Sequence, residues 1–205
     1  MKIAIDGPSA SGKGTISKIL SAKLNAEYLN TGKVYRIIAF LASKSGGNLT
    51  QEAIKIAKDI EKHFVEQAQN REIYTEANAK ITSDIAKIPE LRELLVDFQR
   101  TFASKTKNVI LEGRDIGTVI LPNADFKFFL DASPEERAKR RVLQLQEAGK
   151  PANFEEILKD VEARDKNDRE REVAGLKIAK NAHYIDTSSK SIDEVVSEML
   201  KIIQG

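Results

Sequence analysis

Cysteine is absent from these 205 residues, which excludes disulfides, thiolate metal centres and a cysteine nucleophile. Histidine is nearly absent too. His63 and His183 lie far apart in the chain, so a multi-histidine metal centre is excluded; no Ser-His-Asp set is supported, and both read as ordinary structural or surface residues. No apolar run approaches the roughly 18 residues of a membrane-spanning helix. Net charge is also scarce. The 33 basic and 31 acidic residues leave +2, too little to argue for nucleic acid or an anionic membrane as partner. The opening Met1–Asp6 reads as a strand, and the Gly, Pro and Ser that follow do not form a signal-peptide core. With no disulfide potential, this predicts a cytosolic protein. Internal repeats, low-complexity tracts and long linkers are missing as well, so a single domain with an inserted subdomain is expected. A chain of this length can bury roughly 70% of its unfolded surface without covalent staples.

What the chain does contain is alternation. Lys2–Asp6 reads as a buried strand, Gly7–Gly12 as a loop, and Lys13–Leu24 as a helix with Ile16, Ile19, Leu20 and Leu24 on one face. A short strand at Glu27–Leu29 is followed by a turn at Asn30-Thr31-Gly32 and a helix over Val34–Ala42. Residues 45–75 are the least regular. A helix over Gln51–Lys62 capped by Thr50 is expected there, with β-like pieces at Phe64-Val65 and Glu72–Tyr74. Helices over Glu76–Lys87 and Leu91–Phe102 come next, the second introduced by Pro89. Apolar strands at Asn108–Leu111 and Phe126–Leu130, and a weaker one at Tyr184-Ile185, restore the alternation. Ser133-Pro134-Glu135-Glu136 reads as a capping box opening a helix to about Glu147, and Asn153 as the cap of another. The last helix carries Ile192, Val195, Val196, Met199, Leu200 and Ile203 as one stripe. Strands and helices in this order predict an α/β fold with a parallel sheet covered on both faces.

Gly7-Pro8-Ser9-Ala10-Ser11-Gly12-Lys13-Gly14-Thr15 supplies G-x-x-x-x-G-K between a strand and a helix, the context a phosphate-binding P-loop requires. Glycines let backbone N–H groups close around phosphate oxygens, and the helix N-terminus adds partial positive charge. Lys13 can then reach the β- and γ-phosphates. One residue departs from the pattern: Gly14 occupies the usual Ser/Thr place, and the hydroxyl moves to Thr15.

Two later segments concentrate cations. Arg137, Lys139, Arg140 and Arg141 share a helix, either as a solvated face or as groups waiting for an anion. In the helix after Asn153, the apolar stripe Phe154, Ile157, Leu158, Val161 continues as Arg164, Asp165, Asp168 and Arg171. Either that helix leaves the protein and becomes solvated, or it is a mobile lid with cations over a phosphate site. Arg114 and Asp115 follow a strand, where parallel sheets bind ligands. Asp131 and Asp186 are at similar strand ends and read as ordinary loop carboxylates.

With these residues assembled, the chain resembles the bacterial cytidylate kinases, within the nucleoside monophosphate kinases of the P-loop proteins. The resemblance runs from Ile3 almost to the C-terminus and is weakest near residues 45–80. It is carried by IDGPSASGKGT, NTGKVYR, SDIAKIPELR, LEGRDIGTVILPNADFKFFLDASPEERAKRR and ARDKNDRER. The family has G-K-G-T in its loop, which matches Gly14. The resemblance implies a three-layer P-loop sandwich, with an acceptor-binding insertion at about 33–103 and a helical lid at about 137–175. It implies transfer of the ATP γ-phosphoryl group to CMP or dCMP with Mg²⁺, by a monomer. Gly7 to Thr15 would bind ATP, with Arg137 and Arg141 closing on it. Thr31 and Arg36 would hold the acceptor phosphate together with Arg114 and Arg171. Ser83, Arg92 and Asp115 would read cytosine, and Arg164 and Asp168 would contact the sugar. Lys13, Arg114 and Arg171 would act on the transferred group, and no protein residue is assigned as a metal ligand. Three departures stand out. Thr31 replaces the more usual serine, Lys33 adds a cation beside that turn, and the stretch from Arg36 to Ser83 is about a dozen residues shorter than in the long form. The small sheet of the insertion is therefore expected to be trimmed.

Overall fold

The computed structural model describes residues 1–171 and 173–205; residue 172, within the span expected to form a lid, lies outside the described residues. Along the chain the elements are β1 (Lys2–Asp6), α1 (Lys13–Leu24), β2 (Glu27–Asn30), α2 (Thr31–Lys44), α3 (Leu49–Lys58), α4 (Ile60–Glu66), α5 (Glu76–Ile85) and α6 (Pro89–Ser104). They continue as β3 (Val109–Gly113), β4 (Phe126–Asp131), α7 (Pro134–Glu147), α8 (Phe154–Glu170), β5 (His183–Asp186) and α9 (Ile192–Gln204). A 3-10 turn occupies Glu72–Tyr74, and a π-helical segment occupies Ile116–Ile120. The chain divides into two compact units, one built from residues 1–29 and 107–205, the other from 30–106.

The first unit contains the sheet, in the order β2-β3-β1-β4-β5. β1 pairs in parallel with β3 on one side and β4 on the other, and β4 pairs in parallel with β5. On one face Ile3, Ile5, Ile110, Phe128, Leu130 and Ile185 pack against Ile16 and Leu20 of α1 and Val195, Val196 and Met199 of α9. Ala4, Leu111 and Phe129, pointing the other way along the same strands, are buried as well. Burial on both faces is why these strands read as continuous apolar runs rather than alternating ones. The expected α/β fold is thus present. It places the Gly7–Gly12 loop at the carboxyl end of the central strand, where chain connections depart to both sides and such sheets bind ligands.

Gly7 is required here. Its φ is +148°, and a Cβ would stand 2.0 Å from the Leu130 carbonyl oxygen, so no other residue fits. Ser133 caps α7 by accepting from the Glu136 N–H at 3.2 Å, while the Glu136 carboxylate is taken by Lys139 at 2.6 Å. The full reciprocal capping box occurs instead at Ser191 and Glu194, opening α9.

The second unit is helical. α2 packs against α3 and α5, and α3 against α6, around Val34, Ile37, Ile38, Ala53, Leu91 and Leu95. Several expectations are corrected here. Asn30 caps α2 by accepting from Lys33 N–H at 2.8 Å, so the expected turn is already the first helical turn. Asn48 caps α3 in place of Thr50, and the expected Gln51–Lys62 helix breaks at Asp59 into α3 and α4. The β-like pieces are helical. Ile60 and Phe64, four residues apart, turn inward, with the Phe64 ring 6.3 Å from that of Phe98, while Val65 is exposed. That spacing fits a helix and contradicts a strand. Among the described residues of 31–106 no strand is found, so the trimmed small sheet expected there is replaced by helix.

Candidate functional site

β1 delivers Asp6 and then the loop to the first turn of α1. Lys13 is buried there, 6% exposed. Its Nζ donates to the Pro8 carbonyl and, at 3.2 Å, to Ser11 Oγ, which itself donates to Pro8 O at 3.1 Å. Burial, and then the neighbouring Arg114 guanidinium, push the Lys13 ammonium down to about 7, against the pull of Glu112, Asp6 and Asp168. Asp6 is displaced the opposite way. Burial raises its carboxyl to about 7, although it accepts from the N–H groups of Gly117 at 2.7 Å and Ile116 at 2.8 Å. An anion arriving beside Lys13 favours its charged form against the cost of burial.

Gly14 has a steric reason. A Cβ there would lie 3.3 Å from Glu112 Oε1, so a carboxylate from β3 occupies the space of the usual Ser or Thr side chain. Tyr28 of β2 donates its hydroxyl to that same oxygen at 2.5 Å. Among the described residues no group of three or more His, Cys, Asp or Glu could hold a metal ion.

The outer side of the loop is covered by donors. Ser9 O accepts from Arg137 Nη1 at 3.3 Å, and Ser11 O from Thr187 Oγ1 at 3.2 Å. Arg140 donates to the Thr187 hydroxyl at 3.0 Å and to its carbonyl. Arg137, expected to close on ATP, is instead enclosed at 1% exposure. It donates Nε to Ala132 O at 2.9 Å and pairs two-pronged with Asp165 of α8.

α8 carries a second ionic cluster one turn on. Asp168 accepts from Arg114 Nε at 2.7 Å and from Arg171 Nη2 at 3.0 Å. Burial alone would raise the Asp168 carboxyl, but Arg114, Arg164 and Arg171 hold it below the ordinary range. In turn, Asp168 outweighs burial and holds the Arg114 guanidinium above its usual value. The charged continuation of the Val161 stripe is therefore not a solvated face. Asp165 and Asp168 are buried, and α8 packs along α7. Asp115 is buried near Asp6. Asp131 and Asp186 serve local turns, accepting from Ala132 N–H and Ser188 N–H, while lining a pocket of about 420 Å³ with Arg137, Asp165 and Arg169.

In the helical unit, Thr31 is buried at the start of α2. Arg36 donates to Ile73 O at 3.2 Å with its guanidinium 5.5 Å from the Tyr74 ring centre. Arg92 is buried on α6, donates to Ala86 O at 3.2 Å and lies 5.9 Å from the Tyr35 ring centre; Ser83 is half-buried on α5. Lys33 donates to Ala68 O at 2.7 Å and stands over Phe64, which draws this extra cation into the unit's own packing.

Sequence reasoning passed over Asp6, Glu112, Asp165 and Thr187 as site residues. The first two had a signal, a carboxylate closing an otherwise apolar strand. Asp165 sits four residues after Val161 on the buried stripe. Nothing in the sequence marks Thr187.

A family model described as Cytidylate kinase matches residues 3–205. The cytidylate kinase of Aquifex aeolicus is 45% identical over 99% of this chain and 96% of its own length. That of Clostridioides difficile is 43% identical over 98% and 97%. Among solved structures, an uncharacterised protein from Eubacterium ventriosum superposes with a TM-score of 0.58 at 15% identity, covering 100% of this chain and 98% of its own. Shikimate kinase from Bacteroides thetaiotaomicron gives 0.51 at 15%, covering 100% and 99%. At such identity these two speak to the fold alone.

Proposed function

The chain belongs to the cytidylate kinase family, and from that premise we propose how its residues carry the transfer of the ATP γ-phosphoryl group to CMP. The observation that carries the assignment is the buried Lys13 at the foot of a glycine loop, where burial disfavours its charged form. Backbone N–H groups of Gly7 to Thr15 bind the ATP phosphates, and Lys13 meets the charge that develops on the γ-phosphoryl oxygens. Mg²⁺ would be held by the ATP phosphates and water and would supply charge neutralisation on the phosphate oxygens.

Arg114 and Arg171, already fixed by Asp168, neutralise the phosphoryl groups, with Arg141 approaching the donor. Thr31 and Arg36 bind the acceptor phosphate. Ser83, Arg92 and Asp115 read the cytosine edge, and Arg164 and Asp168 the sugar, with dCMP accepted alongside CMP. A site built from such groups rejects a base that leaves them unpaired. The acceptor phosphate is anionic at neutral pH, so no general base is needed and catalysis is positioning plus charge stabilisation. The α7–α8 pair acts as a lid. The enzyme works as a cytoplasmic monomer. No helix among the described residues is long and apolar enough to cross a membrane.

Lys13→Ala should lower kcat by at least about a hundredfold while the circular dichroism spectrum stays that of the parent. Unchanged kinetics would remove the loop from the chemistry.

A further inference from the structure

A trans peptide is planar, so the C=O of one residue and the N–H of the next point in opposite directions. Holding a carbonyl outward therefore aims the following N–H inward. Two peptides of the nucleotide loop are held this way. Ser9 O is taken by Arg137, and Ser11 O by the Thr187 hydroxyl, which also reaches Asp131 O. These set the directions of the N–H groups of Ala10 and Gly12. The first needs the most help, because Ala10 has a φ of +60°, a left-handed conformation costly for any residue with a Cβ.

Arg137 is suited to supply that help. It is the largest of the fully buried side chains among the described residues, and its planar fork is fixed on three sides by Ala132 O, Ser9 O and the Asp165 carboxylate. A lysine could carry the charge but could not satisfy those acceptors together. We propose that Arg137, braced by Asp165, is a positioning residue for the nucleotide loop, holding the Ser9–Ala10 peptide so that its N–H faces the ATP phosphates. The arginine does not touch ATP. This rests on the loop binding nucleotide phosphate, as argued above.

Two variants test it. Arg137→Lys keeps a cation beside Asp165 but loses the fork. Arg137→Met combined with Asp165→Leu removes both charges, so no lone buried ion is left to unfold the protein. Inorganic pyrophosphate is titrated into each by calorimetry, and KM is measured for ATP and CMP. Both variants should bind pyrophosphate at least about tenfold more weakly, and KM for ATP should rise more than KM for CMP. A lowered melting temperature with parental pyrophosphate affinity and an unchanged ratio of the two KM values would overturn the proposal, leaving the pair a purely structural brace. Should the double variant fail to fold, Arg137→Lys decides alone. If the parent itself binds no pyrophosphate, the nucleotide-loop reading falls, and the positioning role with it.

Discussion

Lys13 and Asp6 bracket the nucleotide loop, and burial drives both toward neutrality near pH 7. Their effects on stability run in opposite directions. Between its ordinary 3.8 and about 7, folded Asp6 holds a proton that the unfolded chain has released, so this group's contribution to stability falls as pH rises through that window. Between about 7 and the ordinary 10.5, folded Lys13 lacks a proton that the unfolded chain retains, so stability rises with pH there. The two together place a dip near neutrality. Asp6→Asn should flatten the acid side of that dip in urea titrations run across the range. Phosphate binding should recharge Lys13, so calorimetry of Mg·ATP binding at about pH 8, in buffers of different ionisation enthalpy, should show net proton uptake that Lys13→Ala removes. Equal uptake in the variant would assign the proton elsewhere.

α8 shows how an element can be legible in outline and misleading in detail. Asn153 was readable as its cap, and its Oδ1 accepts from the N–H groups of Glu155 at 2.9 Å and Glu156 at 3.2 Å. Asn153→Ala should lower stability by about 1 kcal/mol in denaturant titration. An unchanged midpoint would mean the helix end is held by its packing on α7 alone. The charged half of the same helix resisted reading, because sequence periodicity marks a face without saying what lies opposite. Only the fold brings Arg137 to Asp165 and Arg114 to Asp168 and turns a polar stripe into a buried one. The loop was the easier case. Its glycines and lysine follow a spacing readable within one short segment, although the carbonyl that excludes a Cβ at Gly7 comes from Leu130 on β4. Gly14 is legible in the sequence only as an exception, because its neighbour Glu112 comes from the distant strand β3. In the second unit Phe64-Val65 has strand-like composition, and the packing of half-buried Phe64 on Phe98 from α6 goes with helix instead.

At the scale of the molecule, a parallel α/β unit carries the nucleotide loop with its arginine clusters, and a separate helical unit carries Thr31, Arg36, Ser83 and Arg92. The helical unit carries most of the residues proposed to hold the acceptor, so it is where acceptor choice is tested. The direct measurement is the initial rate of ADP formation with Mg·ATP and, in separate reactions, CMP, dCMP, UMP, AMP, GMP or no acceptor. The account predicts turnover with CMP and dCMP and little with the other acceptors. Equal rates with UMP would contradict cytosine reading by Ser83, Arg92 and Asp115, and ATP loss that ignores the acceptor would contradict the kinase itself.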